Sequence, residues 1–150
     1  MVLTHRDDVA DHACFRAHFG CDRILHRAET TQSTRDIEWP LAGYDPLPLA
    51  EDLLAIPVPG HTEGYIVLRY NGRFLFSGDH LAWSDELGQL VAFPHMCWYS
   101  WTMLRQSMQA LGQYSFEWVL PGHGRRYHAD AAIMRRQIER CAAWMATVPV

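Results

Sequence analysis

A chain of 150 residues, 49% hydrophobic and 20% charged, has the length and composition of a single globular domain, here residues 1–150. A net charge of −4 argues against a general nucleic-acid or membrane-surface binder, and no apolar run approaches the ~18 residues of a transmembrane helix. No signal peptide is legible. Cys14, Cys21, Cys97 and Cys141 are scattered without a CxxC pair, which predicts free, mostly buried thiols in the cytoplasm or another reducing compartment.

Val2–Thr4 reads as the tail of a strand. The segment His5-Arg6-Asp7-Asp8-Val9-Ala10-Asp11-His12 follows, and Asp7 or Asp8 is expected to cap a helix running to about Phe19. Phe15 and Phe19 would lie on its buried side, His18 on its exposed side, and Gly20 would end it. Acidic residues at a helix start are explained by the helix dipole, whereas His5 and His12 are not. Cys21–His26 is a short strand, Ala28–Asp36 a polar surface loop, Ile37–Leu41 an edge strand stopped by Pro40, and Gly43–Pro48 a loop. Leu53–Val58 is a strand that delivers the chain to Pro59-Gly60-His61.

The most informative stretch runs from Pro59 to His80. Tyr65–Tyr70 and Arg73–Phe76 are β-prone runs joined by Asn71-Gly72, a strong two-residue hairpin signal. Such a turn brings the outer ends of the two strands side by side, so His61 and Asp79 arrive at one edge of a sheet. Gly60, Gly64 and Gly78 allow close approach there. Beyond His80, Leu81–Phe93 divides into short strands around Asp85–Gly88, with Trp83, Trp98, Tyr99 and Trp101 forming core or a pocket wall. Ser100–Leu111 is an amphipathic helix, Phe116–Leu120 a strand, and Pro121-Gly122-His123-Gly124 a tight loop. A last helix runs from about Ala129 toward Thr147 on a stripe of Met134, Ile138, Cys141 and Met145. His26, His95 and His128 match no motif. Arg125 and Arg126 follow the last loop, where surface placement or contact with an anionic substrate are both possible readings.

Potential metal donors thus occur in three places: His5 through His12, His61 with Asp79, and His123. Each lies at a strand end or in the loop after one, and such loops gather on one edge of an α/β sheet. At this point the chain resembles the metallo-β-lactamase superfamily, whose motifs run T-H-x-H-x-D-H, then P-G-H-T-x-G, then G-D, then G-H-G. Pro59-Gly60-His61-Thr62-Glu63-Gly64, Gly78-Asp79 and Gly122-His123-Gly124 match the last three in order, and Thr4-His5 with Asp11-His12 matches both ends of the first. The first motif carries two extra residues, so the family's second histidine falls on Asp7 or Val9, with Asp8 an equally reasonable donor. Only three residues precede Thr4, where the family has several strands.

The resemblance implies an α/β domain, a metallo-β-lactamase-like αββα sandwich incomplete at its N-terminus. It implies two divalent ions, zinc foremost, with iron or manganese as alternatives. His5, an aspartate (Asp7) and His61 would hold one ion; Asp11, His12 and His123 the other; and Asp79 would bridge. Such a pair lowers the pKa of a shared water toward neutrality, and Asp11 could take a proton. The implied function is a metal-dependent hydrolase acting on an ester, thioester or related small molecule. Alternatives are an iron-type redox member of the superfamily and a partial, non-catalytic metal-binding interaction domain. A sheet face left open by the missing strands predicts self-association or a longer natural chain.

Overall fold

The computed structural model describes residues 1–7 and 9–149. Asp8, one of the candidate donors, lies outside the described residues. In chain order the elements are α1 (His12–Phe19), β1 (Ile24–His26), β2 (Trp39–Leu41), β3 (Leu47–Ala50), β4 (Leu53–Pro57), β5 (Ile66–Tyr70), β6 (Phe74–Gly78), β7 (Ala82–Ser84), β8 (Gln89–Val91), α2 (Trp101–Leu111), β9 (Trp118–Pro121), β10 (Tyr127–His128) and α3 (Ala131–Met145).

Six strands form the main sheet in the order β10-β9-β6-β5-β4-β3, antiparallel except for the β6–β9 pair. The β5–β6 hairpin forms, but its loop is residues 71–73, one residue longer than the expected two-residue turn, and the second strand starts at Phe74 rather than Arg73. Tyr70 faces Phe74, and Asn71 and Gly72 both take positive φ, 49° and 63°, as a primed turn requires. The central strands are apolar on both faces because both faces are covered, at least in part. One face lies under α2 and α3. Ile56, Val67, Leu75 and Val119 pack there against Leu104, Met108, Leu111, Met134 and Ile138 in one buried core. Over the other face, at one end, lie β1 and β2, paired in parallel, where Ile24 and Leu41 meet Ala55 and Ile66. The result is a mixed α/β architecture with one full helical layer and a short second β layer.

Several expectations are corrected. The first helix begins at His12, with Asp11 at its N-cap in the left-handed region (φ 59°) and making no side-chain capping bond. Asp7 therefore caps nothing. Phe15 and Phe19 are exposed, because this eight-residue helix buries only His12 and otherwise reaches the body through the Arg16–Glu38 ion pair (2.6 Å). The Ala28–Asp36 stretch is two tight helical turns that bury Glu29 and Thr34 completely. Pro40 sits inside β2 rather than ending it, and β3 begins within the expected 43–48 loop. Of the cysteines only Cys141 is buried; Cys14 is exposed and Cys21 and Cys97 are half-buried. Burial raises the Cys141 thiol pKa to about 12, so it is an inert core group. No helix among the described residues is long and apolar enough to cross a membrane.

Candidate metal centre

Three chain segments converge at one end of the main sheet. The N-terminal segment is tied to β1 through Leu3 N–H to Ile24 O (2.9 Å) and to β5 through Ile66 N–H to Thr4 O (3.0 Å), which delivers His5. The loop between β4 and β5 delivers His61. Gly60 in it has φ 150° and passes so near the α2 backbone at Leu104 that a Cβ would overlap it. The end of β6 delivers Asp79, and Gly122 N–H donates to Gly78 O (2.9 Å), fastening the His123 loop alongside.

His5 and His61 are buried, and the Nε2 atom of each has no hydrogen-bond partner among the described residues. Two orphaned imidazole nitrogens side by side are costly unless something binds them. A donor atom from each of His5, Asp7 and His61 lies within 4.8 Å of the others. His5 Nε2 is 3.9 Å from Asp7 Oδ2 and 3.5 Å from Asp79 Oδ2. These separations suit donors sharing one cation, since ligand bonds of about 2.1 Å set roughly 3.4 Å apart the donors of a tetrahedron. On its other side Asp79 turns Oδ1 toward His123 Nε2 at 3.8 Å. The aspartate thus stands between His5 and His123, one oxygen toward each.

The supporting groups fit a metal. Thr4 Oγ1 lies 3.0 Å from His5 Nδ1 and fixes that ring, leaving Nε2 to point inward. Tyr65, completely buried, lies against the rings of His5 (4.8 Å) and His61 (5.3 Å), and its hydroxyl accepts a hydrogen bond from Asp79 N–H. Burial, then the neighbouring His5, lowers the His61 pKa, which keeps its nitrogen unprotonated at neutral pH. His80 is wholly buried next to Asp79; burial, with His61 adding, takes its pKa down to about 3.

Beneath the two ligand loops lies Glu29, which the sequence pattern placed in a surface loop. Its Oε2 accepts from Arg6 N–H (3.1 Å) and Arg6 Nε (2.9 Å), and its Oε1 from Gly64 N–H (2.6 Å). Burial alone would raise its pKa, but these donors outweigh it and hold the carboxyl below its ordinary value. Glu29 thereby joins the residue between His5 and Asp7 to the loop after His61.

Asp11 and His12 are not part of this group. Asp11 is exposed at the head of α1. His12 is buried with Nδ1 3.0 Å from Arg23 Nη1. A guanidinium only donates, so His12 Nδ1 accepts, and a neutral ring then carries its proton on Nε2, where a metal would need the lone pair. Arg23 is itself held by Glu38 and Asp36. Among the described residues, the two donors beside one another on the far side of Asp79 are therefore Asp79 and His123.

No protein-family model and no curated protein sequence matches the chain. Solved structures do. A metallo-beta-lactamase from Pontibacter korlensis superposes with a TM-score of 0.68 at 16% identity, over 98% of this chain and 68% of that one. ETHE1 from Myxococcus xanthus gives 0.64 at 18%, over 95% and 62%. ST1585 from Sulfolobus tokodaii, described as an archaeal metallo-beta-lactamase superfamily protein, gives 0.63 at 16%, over 99% and 69%. The chain therefore spans roughly two thirds of the length of the structures it resembles.

Proposed function

We propose that this chain, which has the metallo-β-lactamase fold, is a metal-dependent hydrolase of an ester, thioester or related small molecule. The observation that carries the reading is the meeting of two buried, unpartnered imidazole nitrogens with the Asp7 carboxylate. His5, His61 and Asp7 would hold the ion, with Asp79 adding a second carboxylate beside it and a position left open to water. Two neutral imidazoles and two carboxylates balance one dication, which favours a single tightly held ion. The Asp79–His123 pair offers a second ion only two donors, so a second position would fill weakly. Zinc suits this nitrogen–oxygen set.

When bound, a divalent ion there supplies an acidified water and a Lewis acid for the scissile carbonyl. The chain's own residues do the rest. Tyr65 and Thr4 orient the imidazoles. Asp79 Oδ1, turned away from His5, is placed to take a proton from the attacking water, and exposed His123 can pass it to solvent.

Two variants and metal analysis of the purified protein test the reading. Asp79→Ala is expected to lose bound metal and ester hydrolysis, while His128→Ala, whose ring stacks on Trp118 at 4.2 Å, keeps both. Equal metal content in the two variants would refute the role given to Asp79. A second reading has a specific support: two histidines with a carboxylate are also the donor set of non-haem iron(II) sites. Iron rather than zinc after expression in medium containing both would favour redox chemistry.

A further inference from the structure

Beside the metal position a cleft of about 450 Å³ opens between Arg6–Asp7, Thr62–Glu63 and Trp98–Tyr99, a volume that suits a small substrate. Trp98 and Tyr99 are 63% and 47% exposed, a high exposure for two adjacent aromatic rings. Their backbone is nevertheless fixed to the metal loop. Trp98 and Tyr99 N–H both donate to His61 O (2.9 and 3.1 Å), and Ser100 N–H and Cys97 Sγ–H both donate to Gly60 O (2.9 and 3.2 Å). The backbone that carries the rings is thus held at a set position relative to His61, and the rings are left open to the cleft. Tyr44 belongs to the same neighbourhood; burial, then the charges of Glu63 and Tyr99, raises its pKa.

The charges around these rings have one sign left over. Arg6 spends Nε on Glu29 and Nη2 on Ala28 O (2.6 Å), and the charges of Asp7 and Glu63 also act on it, so one guanidinium stands against three carboxylates. Asp7 faces the metal position. Glu63 lines the cleft half-buried and feels the Arg6 charge, but no close ion pair engages it among the described residues, and the carboxylates there outnumber the guanidinium. Aromatic faces beside an excess of carboxylates attract a weakly hydrated organic cation and repel an anion.

We propose that this cleft binds a quaternary-ammonium group of the substrate, with Trp98 and Tyr99 as its aromatic walls and Glu63 as its counter-charge. The substrate class is then an ester or thioester carrying such a cation on one side of the scissile carbonyl. This deepens the hydrolase reading and rests on it for the reaction, but not for the binding.

Binding is measured by calorimetry on the purified chain with choline and its uncharged isostere 3,3-dimethylbutan-1-ol. Choline is expected to bind about tenfold more tightly, and Trp98→Ala and Glu63→Gln each to weaken it about fivefold. Both side chains are at least partly exposed, so the variants should fold, which circular dichroism checks. Equal affinity for the two alcohols, or unchanged choline binding in both variants, would overturn the proposal. Acetylcholine and 3,3-dimethylbutyl acetate are then compared as substrates. If choline binds selectively and neither ester is cleaved, the cation site stands and the hydrolase reading falls. If both esters are cleaved with equal kcat/KM and choline does not bind, the hydrolase reading stands and the cation site falls.

Discussion

Glu29 holds the candidate centre together without reaching the metal position. It is completely buried, and its partners lie 23 and 35 residues away along the chain. Glu29→Gln should weaken metal binding about 10- to 100-fold, as loss of a supporting group around ligands does. It should also cost roughly 1–3 kcal/mol in urea unfolding, less than a fully buried pair because Arg6 is partly exposed. The acid limb of stability should change with it. Because the folded carboxyl titrates below the unfolded one, the unfolded chain binds the extra proton as pH falls. The stabilisation is complete above about pH 4.5 and is lost through the folded-state pKa. The Gln variant should show a flatter stability profile there, and an unchanged slope would remove Glu29 from this role. Nothing in the Ala28–Asp36 composition reveals such a residue, since polar residues in a surface loop and a lone buried carboxylate look alike until distant partners are placed. His12 is the converse case. Its motif position is legible, but the arginine that occupies its Nδ1 comes from the start of β1, and spacing carries no sign of that.

At the scale of elements, the β5–β6 hairpin was readable because its determinants are local: Asn71-Gly72 sets the turn, and the turn sets where His61 and Asp79 arrive. The end of β6 is equally constrained. Gly78 has φ 52°, and a Cβ there would run into the Tyr65 hydroxyl, the group that accepts the Asp79 N–H. Gly78→Ala should therefore cost about 2 kcal/mol or more and displace Asp79, read as a lower denaturation midpoint together with reduced metal content. Tyr65→Phe separates the two effects. It leaves the backbone unstrained but removes the acceptor for Asp79 N–H and the donor to Ser77 O (3.3 Å). It is expected to lower metal affinity more than the mild loss of stability would explain. If Tyr65→Phe binds metal like the parent, the hydroxyl does not position Asp79. The first helix was less readable. Phe15 and Phe19 have core spacing, but burial depends on what a helix lies against, and α1 buries only His12, with Arg16 ion-paired to Glu38 beyond it.

The whole molecule has one face that its own layers leave partly uncovered. From Leu68, which packs at the edge of the Ile24–Leu41 cluster, the main sheet continues outward with Phe76 and Leu120 in the same cross-strand row and Tyr70, Phe74 and Trp118 in the next. Phe76 and Tyr70 remain 42% and 41% exposed. Each is paired in register with apolar neighbours, so the exposure forms a continuous patch of the kind that monomeric proteins rarely leave bare. Burying ~400 Å² of it would gain about 10 kcal/mol before association costs are subtracted. The edge strand β3, one strand beyond the patch across β4, also has an outer side that no strand of the sheet pairs among the described residues. The 150-residue chain is accordingly expected to self-associate, with a sedimentation coefficient that rises with concentration. Phe76→Asp should suppress this with a change in stability below about 1 kcal/mol, because the ring is half in water already. Leu75→Asp is the internal comparison. That side chain is fully buried on the helical face, and the change should unfold the chain rather than dissociate it. A parent that sediments as a monomer at every concentration, with Phe76→Asp indistinguishable from it, would show that the patch is tolerated in water and that this face does not drive assembly.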